Sequence, residues 1–125
     1  PLNHETYHMI NFHSLALMKP NVIIVNTSRG GLVDTAALVE ALKARRIGGA
    51  RLDVYEEEAG VFYQDLSDTT IPDDVLARLL TFNNVLITSH QAFLTSEALV
   101  NIAGTTMESI RQFAAGQELA NRVSE

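Results

Sequence analysis

Two patterns of apolar residues alternate along this chain. One is a short continuous run, typical of a strand, and the other is a three- and four-residue spacing, typical of a helix. Residues 21–27 contain four successive β-branched, apolar positions at 22–25, a pattern typical of a strand that is buried on both faces of a parallel sheet. Similar runs predict two more strands, over residues 50–55 and 84–89. The sequence thus predicts three strands, and each of them ends at a cluster of polar residues.

Helical periodicity fills the segments around these strands. Asn3 is a suitable N-cap for a first helix that should end before Pro20, because proline disfavours helical backbone in the preceding residue. Asp34 is the expected N-cap of a second helix. Thr95 or Ser96 should cap the last helix, whose apolar residues recur at three- and four-residue steps. The predicted helices cover residues 3–17, 34–46, 73–80 and 95–116, with a turn at 28–31 and a loop over 59–70.

Strands that alternate with helices are typical of α/β proteins, in which right-handed crossovers join parallel strands. The sequence has no internal repeat, low-complexity tract or linker, and 125 residues are enough for one core. In open α/β sheets, ligands bind beyond the carboxyl ends of the strands. The residues that follow the three predicted strands are therefore the first candidates for a functional site.

Composition narrows the class of protein. No purely apolar run is longer than four residues, the length of the run over 22–25, which is far short of the ~20 residues that cross a bilayer, and we expect no secretion signal. The absence of cysteine excludes disulfides and thiolate metal sites, and the net charge of -6 argues against a nucleic-acid partner. His4, His8 and His13 have no acidic motif beside them, so we expect exposed helix residues and no metal. A cytoplasmic protein that binds a small molecule, and neither nucleic acid nor membrane, is expected.

Side chains suited to acid–base chemistry follow the predicted strands. Ser28 and Arg29 come after the first strand, an acidic run over residues 53–58 after the second, and His90 after the third. A guanidinium binds a carboxylate bidentately, and histidine exchanges protons near neutral pH with support from a carboxylate. Singly, these residues also fit a surface arginine, a solvated acidic turn and a capping histidine. Together at one sheet edge they indicate a catalytic site.

The same segments carry a family resemblance. Asn26-Thr27-Ser28-Arg29-Gly30, Asp53-Val54-Tyr55-Glu56-Glu57-Glu58 and His90-Gln91-Ala92-Phe93 resemble, in order and spacing, the three carboxy-terminal motifs of D-2-hydroxyacid dehydrogenases. The resemblance covers essentially the whole chain. The His-x-Ala-Phe-Leu-Thr run and the insertion over 61–65 resemble the fermentative D-lactate dehydrogenase branch. The family's fold implies the C-terminal half of a Rossmann-like NAD-binding domain, with a parallel sheet in three αβα layers.

The resemblance implies that the protein is an oxidoreductase that uses NAD to reduce pyruvate, a 2-oxo acid, to D-lactate. It implies that His90 is the general acid/base, that Glu58 orients it, and that Arg29 binds the substrate carboxylate. Without the resemblance, Glu56 and Glu57 are competing partners for His90, although both suit a solvated turn.

Further contacts follow from the same resemblance. Asp53 would hold the nicotinamide carboxamide, and Phe93 would pack near the small side chain of the substrate. The other residues expected to line the cofactor are Pro1, Thr6, Thr27, Ser28, Arg29 and His90.

A complete member of the family needs a G-x-G-x-x-G phosphate turn, with a ribose-binding acid about 20 residues further on. The seven glycines do not form that turn, and the chain opens on Pro1 without an initiator Met. We therefore expect residues 1–125 to be the C-terminal part of the NAD-binding domain with its last helix. The glycine-rich half and the substrate domain would lie upstream. Alone, this part should lack tight NAD binding and turnover and should self-associate through its cut sheet edge, whereas the parent enzyme is expected to be a homodimer.

Other interpretations remain open at this point. The substrate could be a bulkier D-2-hydroxyacid, and the determinant of NAD against NADP preference would lie upstream. A non-catalytic, NAD-sensing corepressor of the same family would not need the His-x-Ala-Phe-Leu-Thr run. An unrelated receiver-like domain would need an acidic cluster after its first strand, where this chain has Asn26-Thr27-Ser28-Arg29.

Overall fold

A computed structural model of the chain describes residues 1–63, 65 and 68–123. The three strands β1 Ile23–Asn26, β2 Gly49–Leu52 and β3 Val85–Ile87 form a parallel sheet in the order β1–β2–β3. The helices are α1 Phe12–Leu17, α2 Thr35–Lys43, α3 Asp74–Leu80 and α4 Ser96–Ala114, with 3-10 turns at Gly30–Leu32 and Glu58–Gly60. The α/β class and the parallel sheet are confirmed, and every predicted element is shorter than expected. Within the predicted loop 59–70 and insertion 61–65, Gln64, Leu66 and Ser67 lie outside the described residues.

The core lies on one side of the sheet. Leu38 of α2 and Leu79 of α3 are fully buried, together with Ala50 of β2. Successive strand residues point to opposite faces, and on the other face Ile23 and Val25 are exposed by 52% and 66%. The prediction that the first strand is buried on both faces is therefore wrong for this chain, because α1–α3 pack against only one set of alternating residues.

The first predicted helix is wrong over most of its length. α1 begins only after Asn11, which forms a capping box with Ser14 and accepts hydrogen bonds from the first helical turn. Residues 4–8 form turns instead, because the Asn3 side chain caps a turn and His8 has a φ of +52, outside the helical range. His8 is thus not a helix residue, contrary to expectation.

The other helix starts are confirmed. Asp34, Asp73 and Thr95 cap α2, α3 and α4, each accepting a hydrogen bond from a backbone N–H of its helix. The second strand, β2, begins at Gly49 and ends at Leu52. The described residues from 92 to 123 belong to a second compact unit, in which α4 contains no buried residue. In the described part of the chain, no helix is long and apolar enough to cross a membrane.

Candidate active site

The predicted site residues lie where the three strands end. The register pairs Asn26 with Leu52 and Leu52 with Ile87. Because the strands are parallel, the residues that follow them leave the sheet at the same edge. The segments that carry Arg29, Glu58 and His90 therefore begin side by side.

Glu58 and His90 are in direct contact. Oε1 of Glu58 lies 3.0 Å from Nδ1 of His90, and the two side chains are 20% and 31% exposed. The second carboxylate oxygen, Oε2, accepts a hydrogen bond of 3.1 Å from the backbone N–H of Tyr55. The Tyr63 hydroxyl also lies 3.0 Å from His90 Nδ1. Among the described residues nothing hydrogen-bonds His90 Nε2, so one ring nitrogen is engaged and the other can meet a ligand.

The backbone at His90 is held in an unusual conformation. Ser89 and His90 have φ of +51 and +57, a left-handed conformation that costs roughly 1–2 kcal/mol for each non-glycine residue. Asp53, only 3% exposed, opposes this cost: its carboxylate accepts hydrogen bonds from the Thr88 hydroxyl and, at 2.8 Å, from the Gln91 N–H. Its carbonyl also accepts a hydrogen bond from the His90 N–H. Asp53 thus anchors the turn that presents the His90 ring.

Arg29 lies at the same edge but is exposed. Its guanidinium donates a hydrogen bond of 2.8 Å to the carbonyl of Ser28, and in the described part of the chain it makes no hydrogen bond or ion pair with Glu58 or His90. The buried Asn26 fixes its backbone, because that side chain donates to the Arg29 carbonyl and accepts from the Ser28 N–H. Thr27 and Ser28 are exposed beside it.

Gly30 joins the Arg29 turn to the Glu58 segment. A Cβ atom at Gly30 would lie 2.1 Å from the carbonyl carbon and oxygen of Tyr55 and 2.5 Å from the nitrogen of Glu56. Only glycine permits this approach of two backbones. Backbone packing, and not a side-chain contact, therefore holds the Arg29 turn beside the Glu58–His90 pair.

Glu56 has several partners that the sequence did not indicate. Its carboxylate lies 2.5 Å from His8 Nε2, 2.9 Å from the Tyr7 hydroxyl and 3.2 Å from the Thr35 hydroxyl. We call these four residues the Glu56 clamp. Burial by itself would raise the pKa of Glu56, but the hydrogen bonds of the clamp and the charge of His8 hold that pKa below its ordinary value of 4.5. The solvated-turn interpretation is thus wrong for Glu56, while Glu57 is exposed.

The remaining candidates belong to other segments of the chain. The Thr6 hydroxyl donates a hydrogen bond of 2.9 Å to the Pro1 carbonyl. Phe93 lies in the second compact unit and is 50% exposed. His4 and His13 are exposed, and the described residues contain no group of three or more side chains that could hold a metal ion.

Sequence reasoning missed Tyr63, Thr88 and the Glu56 clamp. Thr88 had one available signal, since it is a polar residue at the end of a predicted strand, next to the candidate His90. Tyr63 and the clamp had none, because each joins segments that are far apart in the sequence.

Comparison with known protein families gives a match over residues 1–92 to the model of the D-isomer specific 2-hydroxyacid dehydrogenase, NAD binding domain. The chain is 56% identical over 113 residues to 2-hydroxyacid dehydrogenase homolog 2 of Schizosaccharomyces pombe, covering 90% of this chain and 34% of that protein. It is 46% identical over 123 residues to D-lactate dehydrogenase of Escherichia coli, covering 98% of this chain and 37% of that protein.

The fold is similar to that of solved dehydrogenases. A crystal structure of D-lactate dehydrogenase with NAD+ from Lactobacillus jensenii superposes with a TM-score of 0.90 at 34% identity, covering 100% of this chain and 38% of that one. The chain spans about a third of the length of the curated relatives it matches. Its similarity to them is therefore confined to one part of those proteins.

Proposed function

The chain belongs to the D-isomer specific 2-hydroxyacid dehydrogenase family, and on this premise we propose that it reduces pyruvate to D-lactate with NADH as part of a longer enzyme. The observation that carries the proposal is the 3.0 Å contact between Glu58 Oε1 and His90 Nδ1, at the sheet edge that also bears Arg29. A carboxylate, an imidazole and a guanidinium are the groups that reduction of a 2-oxo acid requires from the protein.

His90 is the proton donor in this proposal. Its imidazolium gives the Nε2 proton to the carbonyl oxygen of the substrate. The neutral ring then keeps the proton on Nδ1, and this N–H donates a hydrogen bond to the Glu58 carboxylate. The Glu58 carboxylate favours the charged ring before the transfer and fixes its tautomer and orientation after it. The nicotinamide, when bound, supplies the hydride that the carbonyl carbon receives.

Arg29 binds the substrate carboxylate. Its planar fork suits a bidentate contact with two carboxylate oxygens, and it stays charged at every relevant pH. Because the guanidinium is exposed and donates only to its neighbour's carbonyl within the described residues, it can turn toward a ligand without breaking an ion pair.

The residues fit the nicotinamide end of NAD. In this proposal the buried Asp53, at the end of β2, holds the carboxamide N–H in addition to the Thr88 hydroxyl and the Gln91 N–H, and Thr27 and Ser28 offer exposed hydroxyls after β1. We also assign Pro1 and Thr6, with Arg29 and His90, to the cofactor's surroundings. The sequence contains no glycine-rich phosphate turn, so the pyrophosphate needs residues outside 1–125. Residues 1–125 would then form the C-terminal part of the NAD-binding domain with its last helix, and alone they would be inactive.

A second candidate is the reduction of a bulkier 2-oxo acid by the same chemistry. It is favoured by the similarity of the chain to a protein named aromatic 2-oxoacid reductase of Clostridium sporogenes, which is 46% identical over 113 residues. The test is to measure NADH oxidation by the full-length enzyme, meaning the polypeptide that also carries the glycine-rich half, with pyruvate, 2-oxobutyrate, 2-oxoisocaproate and phenylpyruvate. The highest kcat/KM is expected with pyruvate. A higher value with a bulkier acid would favour the second candidate, and no oxidation with any of them would refute both.

A further inference from the structure

We propose that Glu56 is a positioning residue, which through Tyr7, His8 and Thr35 holds Glu58 in register with His90 and with the Arg29 turn. This inference rests on the proposed function, since it concerns the same proton-transfer pair. Glu56 does not contact the pair itself, and its effect passes through the backbone that it fixes.

The first step is the convergence of three donors on one carboxylate. The Tyr7 hydroxyl and His8 Nε2 both meet Glu56 Oε1, across 49 and 48 positions of sequence, and the Thr35 hydroxyl meets Oε2 across 21. A solvated glutamate forms at most a weak surface ion pair, whereas this carboxylate joins the N-terminal turn, the start of α2 and the acidic segment. The Glu56 carboxylate therefore fixes these three segments to one another.

The second step leads from Glu56 to Glu58. The peptide that joins Tyr55 to Glu56 lies under Gly30, and the N–H of Tyr55 donates to Glu58 Oε2. Glu58 is thus oriented at one oxygen by this backbone and at the other by His90. A shift of the Tyr55–Glu56 backbone would move the Glu58 carboxylate away from the ring.

The third step is the way in which His8 is held. Its N–H donates a hydrogen bond of 2.8 Å to the carbonyl of Gly31, and its ring stacks on Tyr7 with a centroid distance of 3.9 Å. Its φ of +52 is costly for a non-glycine residue, yet this conformation brings the imidazole to Glu56. The carboxylate of Asp34 lies 4.0 Å from the other ring nitrogen, Nδ1. His8 therefore connects the acidic segment with the glycine turn beside Arg29.

The clamp consequently connects the N-terminal turn, the glycine turn beside Arg29 and the acidic segment, and it reaches the His90 turn through Glu58. Its role depends on hydrogen-bond geometry more than on charge. A glutamine at position 56 can accept from Tyr7 and His8 through its oxygen and donate to the Thr35 hydroxyl through its amide nitrogen. An alanine can do neither.

The experiment compares Glu56→Ala, Glu56→Gln and the matched controls Glu57→Ala and Glu57→Gln in the full-length enzyme. The controls make the same changes at the exposed neighbouring position. For each variant, kcat and KM for pyruvate are measured per active site, with the Kd for NADH from fluorescence titration. We expect Glu56→Ala to lower kcat on the order of tenfold, because a misplacement of about 1 Å can cost up to 100-fold. Glu56→Gln should recover most of this loss, and both controls should match the wild type.

Two results would overturn the inference: a kcat for Glu56→Ala equal to that of Glu57→Ala, or a Glu56→Gln variant no better than Glu56→Ala. If Glu56→Ala does not fold, the double variant Tyr7→Phe/Thr35→Val decides, since it removes two donors and keeps the carboxylate. An unchanged kcat in that variant would contradict the positioning role. A wild-type enzyme that reduces no 2-oxo acid would instead refute the proposed function, so the two failures are distinguishable.

Discussion

The Nδ1 atom of His90 lies 3.0 Å from the Oε1 atom of Glu58, although 32 positions of sequence separate the two residues. The contact joins the end of β3 to the segment after β2, and the Tyr63 hydroxyl lies at the same ring nitrogen. A histidine held in this way at one nitrogen presents the other in a fixed orientation. The pair therefore has the geometry of an oriented acid/base, and its environment suggests experiments on each supporting element.

Replacing Glu58 with glutamine should impair proton transfer. The amide can still accept a hydrogen bond from His90, but it lacks the charge that favours the imidazolium. We expect kcat/KM for pyruvate to fall by about tenfold or more, with NADH affinity retained. Glu57→Gln, which removes the same charge from an exposed position, is the control. Equal kcat/KM values in the two variants would rule out a role for the Glu58 charge.

Replacing Arg29 with lysine should weaken substrate binding. Lysine keeps the positive charge but loses the bidentate fork, and a hydrogen bond to a charged group contributes about 1.5–3 kcal/mol. The KM for pyruvate should therefore rise on the order of 10-fold to 100-fold. Arg46→Lys is the matched control, because Arg46 is exposed and precedes β2 at the opposite edge of the sheet. A KM that rises no more in Arg29→Lys than in the control would show that Arg29 does not bind the carboxylate.

Replacing Gly30 with alanine should destabilise the fold. The new methyl group would lie 2.1 Å from the Tyr55 carbonyl, and relieving such overpacking costs about 1–3 kcal/mol. Gly60→Ala tests the same change where the added Cβ meets no atom within 4 Å. The urea midpoint should fall clearly for Gly30→Ala and stay near wild type for Gly60→Ala. Equal midpoints would contradict the close approach of the two backbones.

The Glu56 clamp should make stability depend on pH in the acid range. Because the folded protein holds the pKa of Glu56 below 4.5, the ionised carboxylate stabilises the native state above that pH. This contribution is lost as the pH falls through the lower folded value. The difference in Tm between the wild type and Glu56→Gln should therefore be largest near neutral pH and shrink below about pH 4. A Tm difference that grows as the pH falls would contradict this prediction.

Local patterns predicted much of the fold. The helix caps Asp34, Asp73 and Thr95 are short-range features, since each side chain accepts from a backbone N–H within its own first turn. The convergence of the strand ends also followed from the order of elements, because parallel strands must end at one edge. What local patterns got wrong was the first helix, where the Asn11–Ser14 capping box and the left-handed His8 overrode a plausible cap at Asn3.

The supporting contacts of the candidate site could not be predicted in this way. The choice of Glu58 over Glu56 and Glu57 as the partner of His90 depends on how the acidic segment turns after Tyr55, and spacing alone left it open. The pairing of His8 with Glu56 spans 48 positions, beyond the reach of any periodic pattern. The exposure of Val25 depends on which neighbours cover the sheet, and the strand's own sequence contains no information about them.

The most direct test of the central claim is the kinetics of His90→Gln in the full-length enzyme, with His13→Gln on the exposed face of α1 as the control. Loss of the general acid should lower kcat/KM for pyruvate by about 10²–10⁴, while the Kd for NADH stays within about twofold of wild type. The control should leave both quantities unchanged. A His90→Gln enzyme that reduces pyruvate as fast as the His13→Gln control would contradict the assignment of His90 as the acid/base and, with it, the account of this site.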